Sequence, residues 1–396
     1  MRIIGFRTGR SGKDGFLIIV VLSLFIFFLG RGVYSWISQI ISAELSSASF
    51  KGEIAISDDN TLAELDRQIA GARISGDPGR VKGEDNRGRT GKGYQLVVKR
   101  RNGTQTFLFE KPGDMYEPET GRRYLLRDGG TCLEAAVREV DGKSPYGEFL
   151  AWSEVNRIFR KFDHARVTDL ETGESFVVQR RAGSLHADVQ PLTAEDSGIM
   201  KKIYGGAWSW KRRAIVVTVN GHRIAASMNG MPHGAGAIGG NDFNGHFCVH
   251  FRDSRLHNNK VNLAHQVMVW KAAGRFDEML AGAGAGQVLN VMLTAVAQAD
   301  YNLGKRLVKF EPGAGEREID SALSGLSWFS VGEVSEPSGE NGTVFTVKAS
   351  YRLKDGTQVK NREIKYELVE VSGPFPWQVR GISIVKMLQK PETENG

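Results

Sequence analysis

Ala214-Ile-Val-Val-Thr-Val219, Asn220-Gly221, His222-Arg-Ile-Ala-Ala-Ser227 is the stretch that decides the fold of the middle of this chain. Two runs rich in β-branched and small apolar residues flank Asn-Gly, a dipeptide that tolerates the left-handed backbone of a tight hairpin. Upstream, Arg166-Val-Thr-Asp-Leu170 and Ser175-Phe-Val-Val-Gln179 flank the turn Glu171-Thr-Gly-Glu174 and read as further strands. Thr193-Ala-Glu-Asp196 reads as an N-terminal cap for a helix running through Met200 and Ile203. A helix from Leu263 to about Ala273 closes this β-rich unit.

The hairpin leads straight into Met231-Pro-His233-Gly234, then eleven residues, then His246-Phe-Cys248-Val-His250-Phe251. The chain has two cysteines and eight histidines, and seven of the histidines fall between His186 and His265. A thiol needs a neighbouring base to become a thiolate near neutral pH. The glycine-rich stretch 234–245 has the composition to turn back tightly and bring His233 beside Cys248. An imidazolium there lowers the thiol pKa, and backbone N–H groups near Phe247 and Cys248 are placed to stabilise an oxyanion. Two cysteines cannot build a disulfide framework, though they leave room for one Cys132–Cys248 bridge in an oxidising compartment, and Cys132 otherwise reads as a small buried hydrophobe.

These residues resemble the motif of the L,D-transpeptidases of the YkuD type: a His-Gly, about a dozen residues, then Ser-His-Gly-Cys-(Ile/Val)-(Arg/Asn). Here Gly245 stands in the Ser position, Phe247 in the Gly position and His250 in the Arg position. The resemblance implies a β-rich catalytic domain acting on peptidoglycan stem peptides through a thioester. It implies Cys248 as nucleophile, His233 as base and His246 as the motif histidine. Gly234 and His250 are expected at the substrate, with Asn229 and Arg255 as further contacts. The segment Trp208-Ser-Trp210-Lys-Arg-Arg213 is expected to line or cover the cleft.

Two other readings stay open at this point. If 246–251 is a strand, His246, Cys248 and His250 share a face. With His186 and Asp188, and with His233 or His257 as further donors, they then offer ligands for zinc, and the protein would be a zinc-dependent peptidoglycan peptidase. The last reading is a non-catalytic envelope-binding protein in which the same residues are structural.

Working outward, Tyr94 to Phe109 reads as a hairpin with a type I′ turn at Asn102-Gly103, and Cys132–Val140 and Glu148–Phe162 read as helices. After a helix to about Lys305, the segments at Trp328, Thr343–Leu353, Lys360–Val369 and Trp377–Ile384 read as a curled antiparallel sheet. The Trp-x-Val close resembles cystatin-like and nuclear-transport-factor-2-like folds. At the N-terminus, Arg2, Arg7, Arg10 and Lys13 precede an apolar run from Phe16 to Leu29, which places the N-terminus on the cytoplasmic side. The absence of a small-x-small cleavage site favours an uncleaved signal-anchor over a removed signal peptide.

The expected architecture is therefore β-rich α+β. Residues 1–40 form a cytoplasmic tail and signal-anchor helix, and 41–92 a flexible juxtamembrane linker that contains a short helix within 42–70, at Leu62–Ile69. Residues 93–280 form the L,D-transpeptidase-like domain with an N-terminal α/β subdomain, and 285–390 a small accessory domain. The protein is expected to be single-pass, with its bulk outside the cytoplasm and peptidoglycan as its partner. The C-terminal domain is expected to meet an envelope protein, and no cofactor is expected outside the zinc reading. The net charge of +7 suits an anionic surface, but no finger, helix-turn-helix or aromatic RNA-binding motif points to nucleic acid.

Overall fold

A computed structural model describes residues 39–47, 53–75, 93–335, 337–338 and 343–388. The expected anchor and the glycine-rich stretch 76–92 lie outside the described residues. No helix among the described residues is long and apolar enough to cross a membrane. Strand outweighs helix, as expected for a β-rich α+β chain. The chain divides after Ser144 into two compact units.

Within the linker expected over 41–92, residues 41–47 and 53–75 are strands and a helix instead, and the helix covers the short one expected at Leu62–Ile69. Strands β1 (Ile40–Ser47), β2 (Glu53–Ile56) and β3 (Arg73–Ser75) join β4 (Tyr94–Arg100), β5 (Gly103–Phe109), β6 (Asp114–Glu117) and β7 (Arg122–Leu125). Together they make one seven-stranded sheet in the order β2-β1-β4-β5-β6-β7-β3. Ile40, Ala43, Leu45, Ile54 and Ile56 point into a core with Leu96, Val98 and Phe107, so polar-looking text is a half-buried edge. The helix Asp59–Ala70 adds Leu62, Leu65 and Ile69 to this core. Asp58 caps it by accepting from the Thr61 N–H at 2.8 Å. Residues 94–142 thus belong with 40–75 rather than with the central domain. The β4–β5 turn is also not type I′: neither Arg101 nor Asn102 takes a positive φ, and Gly103 does, at 150°.

In the second unit, β8 (His164–Asp169), β9 (Ser175–Ala182), β10 (Ala187–Pro191), β11 (Ser209–Val219), β12 (His222–Gly230) and β13 (Phe247–His250) close into a barrel. The strand order is β10-β13-β12-β11-β8-β9. The Asn220-Gly221 turn takes φ of 48° and 82°, and Val219 pairs with His222 across it. Val167, Phe176, Val178, Ile215, Val217, Phe247 and Val249 fill the interior. Strand alternation then sends their neighbours to the outer face. The helix Trp152–Ile158 is shorter than the expected 148–162 and packs Trp152 and Val155 on this same core.

The helix Leu263–Ala272 lies across the outer face of β11 and β12. Its Val267, Met268 and Ala272 join Ala214 and Ala225 in a second core. That core continues into the helix Ala285–Ala297 and a five-stranded sheet. The strands are β14 (Val308–Lys309), β15 (Leu326–Val334), β16 (Val344–Leu353), β17 (Gln358–Glu370) and β18 (Trp377–Arg380), in the order β14-β18-β17-β16-β15. The C-terminal region is therefore welded to the barrel by shared burial rather than being a separate accessory domain. The strand expected over Trp377–Ile384 stops at Arg380, and Gly381–Leu388 is helical.

Candidate active site

Residues Phe247 and Val249 of β13 face the barrel core, so Cys248 and His250 face outward. Asp188 of β10 is the direct cross-strand partner of Cys248, and Ser227 of β12 is that of His250. Register alone therefore lays Asp188, Cys248, His250 and Ser227 on one outer surface.

The loop 234–245 leaves and returns at a backbone bridge: His233 N–H donates to His246 O at 2.9 Å, and His246 N–H donates to His233 O at 2.8 Å. Two glycines make this possible. Gly234 has φ 62°, and a Cβ there would lie 2.4 Å from the His246 ring. Gly245 has φ 120°, and a Cβ there would lie 2.6 Å from the His233 carbonyl oxygen. Gly234 thus shapes the site through its backbone, and it is exposed. Gln190, buried on β10, holds the loop from beneath. Its Nε2 donates to Gly245 O at 2.7 Å, and its Oε1 accepts from Ala237 N–H at 2.8 Å.

The bridge fixes the reactive pair. His233 Nε2 lies 3.2 Å from Cys248 Sγ. His233 Nδ1 lies 2.8 Å from the Met231 carbonyl, which only accepts, so Nδ1 carries the proton and Nε2 faces the thiol. On the inner side, His186 Nε2 lies 3.1 Å from Asp188 Oδ1, which is itself 3.9 Å from Cys248 Sγ. Burial pushes the Cys248 thiol up, but the imidazoles of His186 and His233 facing the sulfur outweigh it and bring the thiol below its usual range. His233 is raised, first by its bond to Cys248. Burial opposes charge on His186, yet Asp188 and Cys248 lift its pKa to about 10. Asp188 is pushed up by burial and pulled lower on balance by His186.

His246 donates from Nδ1 to Ala235 O at 3.0 Å and turns Nε2 toward Asp188 at 3.8 Å. It supports the pair without touching the sulfur. His250 is fully buried and sandwiched between the rings of His186 and His265, with centroids at 4.4 and 3.8 Å. Burial first, then the charge of His186, holds its pKa down to about 2. This corrects its expected substrate contact, because the helix Leu263–Ala272 roofs that part of the face. Asn229 is buried and accepts from Met231 N–H at 3.3 Å, so it shapes the turn before His233. Arg255 reaches the site through its carbonyl, which accepts from His186 Nδ1 at 2.7 Å, and its guanidinium donates to Asn259 O instead.

Trp210, half exposed at the start of β11, sets its ring 5.0 Å from that of His233 and forms one wall of the approach. Asp188 and Gln190 had no visible role in thiol chemistry from the sequence. Their strand is buried throughout, so no alternation marks which side chains face the site. Comparison with protein-family models, with curated proteins and with solved structures finds no match.

Proposed function

We propose that this chain is an extracytoplasmic cell-wall enzyme, a cysteine acyl-transferase or peptidase acting on peptidoglycan stem peptides. The observation that carries this reading is the 3.2 Å approach of His233 Nε2 to a buried thiol whose pKa is lowered. A buried cysteine left to burial alone moves the other way.

In this reading the Cys248 thiolate attacks a stem-peptide carbonyl carbon, held under Trp210. The C–S bond forms, the carbonyl π electrons move to oxygen, and collapse breaks the C–N bond. His233, as imidazolium, gives its proton to the departing amine. The thioester is then attacked by water or by an amine of a second stem, and His233 Nε2 takes the proton from that acceptor. The thiolate leaves, and the product is a hydrolysed or cross-linked stem. The anchor expected at the N-terminus would hold the catalytic unit at the membrane beside the wall. The C-terminal sheet is the surface we assign to an envelope protein partner.

The test is incubation of the full chain with purified muropeptides, followed by intact-mass analysis. An acyl adduct on Cys248, absent in Cys248→Ala, supports the reading; product formed equally by Cys248→Ala overturns it. A zinc-dependent peptidase is the second reading, favoured by the donor atoms that crowd around Cys248. It predicts that chelators abolish turnover, whereas the thiol reading predicts that they do not.

A further inference from the structure

Cys248 is held between two walls, and the proton transfers proposed above run through the outer one. The inner wall is made of His186, Asp188 and His257. Ligand atoms from these three and from Cys248 all lie within 4.8 Å of one another. Tetrahedral zinc with nitrogen, oxygen and sulfur ligands needs donors roughly 3.3–3.8 Å apart, given metal–ligand bonds of about 2.0–2.3 Å. The 3.1 Å separation of His186 Nε2 from Asp188 Oδ1 and the 3.9 Å separation of Asp188 Oδ1 from Cys248 Sγ bracket that range.

His186 supplies an independent observation. Its ring is 1% exposed, and Nδ1 is committed as a donor to the Arg255 carbonyl. Such a bond leaves Nε2 as the nitrogen that gives up its proton to a metal. Nε2 is buried and makes no well-formed hydrogen bond, although it is aimed at a carboxylate and a sulfur. A cation among the three satisfies all of them at once. His257 is exposed, with its ring 4.7 Å from that of His186, and gives the ion a way in from solvent. A set of two imidazoles, one carboxylate and one thiolate selects zinc over calcium or magnesium, which take oxygen ligands.

We infer that His186, Asp188, Cys248 and His257 form a zinc site on the inner wall, and that zinc bound there withdraws Cys248 from attack. The silencing half rests on the thiol reading of the site; the binding half does not. His250, though stacked on His186, contributes no donor atom, which departs from the ligand set the sequence suggested.

The experiment titrates Zn²⁺ alone into the full chain against a chromophoric chelator, for the wild type, His257→Ala, Asp188→Asn and His233→Ala. Iodoacetamide labelling of Cys248 is followed in parallel. We expect one zinc per chain, with affinity reduced at least about 10-fold in His257→Ala and Asp188→Asn. His233→Ala should still bind one zinc, with affinity reduced less than in His257→Ala and Asp188→Asn. Zinc should slow labelling of Cys248 in the wild type and do so far less in His257→Ala, whose altered residue is exposed and leaves the fold alone. Loss of zinc in His233→Ala with retention in His257→Ala would put the ion on the outer wall, with His233 and His246, and overturn the inference. So would the absence of saturable binding, or muropeptide turnover that rises with zinc. Stoichiometric inner-wall binding in a protein without muropeptide turnover would sink the enzyme reading and leave the site standing.

Discussion

Two cysteines, one in each compact unit, show how little exposure says about reactivity. Cys132 is part exposed and sits in the first turn of the helix Thr131–Gly142, a position that ordinarily favours a thiolate. Burial and then the charge of Glu64 nevertheless push it up to about 11. Cys248 is buried, which should push it further, and it ends lowered. The difference lies in what faces the sulfur: carboxylates in one unit, imidazoles in the other. All eight histidines lie beyond Ser144, so the first unit has no imidazole with which to do the same. The charge opposite a buried thiol decides its state.

The largest test of this contrast is deletion of each thiol. Cys248→Ala should lower muropeptide turnover by on the order of 10⁴-fold while circular dichroism is unchanged, and Cys132→Ala should leave turnover as it was. Turnover surviving in Cys248→Ala would dissolve the distinction between the two residues.

Next in size is the outer histidine. His233→Ala should cost about 10²–10⁴-fold in kcat/KM. It should also move the pH curve of Cys248 alkylation upward, toward the ordinary thiol value of 9.0, because the group that lowers it is gone. In the wild type, alkylation should persist below that value and fall away only once the lowered thiol is protonated. Turnover should also fall on the alkaline side as the raised His233 loses its proton. An unmoved alkylation curve in His233→Ala would assign the lowering to His186 alone.

The histidine stack sets up a third test. His250 and His265 are both held below 6.5 by burial, so in the folded unit they stay neutral where the unfolded chain takes up protons. Stability from these groups is whole above 6.5 and declines as pH falls beneath it, by about 1.4 kcal/mol per pH unit for each. Denaturant unfolding of His250→Leu should show a shallower decline between neutral and mildly acidic pH. An identical slope would mean that the stack opens on acidification.

The smallest effect belongs to the first unit. Glu64→Gln should raise Cys132 alkylation by less than about 10-fold, since burial is the larger cause of its inertness. A larger gain would give the carboxylate the leading part.

The pairing of His233 with Cys248 and the Asn220-Gly221 hairpin were legible because each is local: a turn dipeptide, and two side chains separated by one glycine-rich loop. The capping box at Thr193 and Asp196 was legible for the same reason. The strands at 40–56 were not. Their apolar residues are few, and they are buried only because Leu96 and Phe107, some fifty residues on, lie opposite. His250 shows the other limit. Its place in the motif suggested a contact with substrate, but the helix beginning at Leu263 decides its environment, and nothing near residue 250 encodes that roof. Asp188 reaches Cys248 through strand register, which sequence spacing does not carry.

The backbone bridge between His233 and His246 has a consequence for engineering. It works as a splice joint: with Gly234 and Gly245 kept, the tip between them can vary while the His233–Cys248 distance is held by the joint itself. Gln190 secures one half of the insert, and Asn241, whose Nδ2 donates to Pro191 O at 2.8 Å, secures the other. At Gly239, between those fasteners, an added Cβ meets nothing within 4 Å. Extra residues are cheap there, since doubling a flexible loop costs only about 0.6 kcal/mol. The tip is thus an interchangeable cassette, through which the surface beside the thiol can be changed without rebuilding the barrel that carries it.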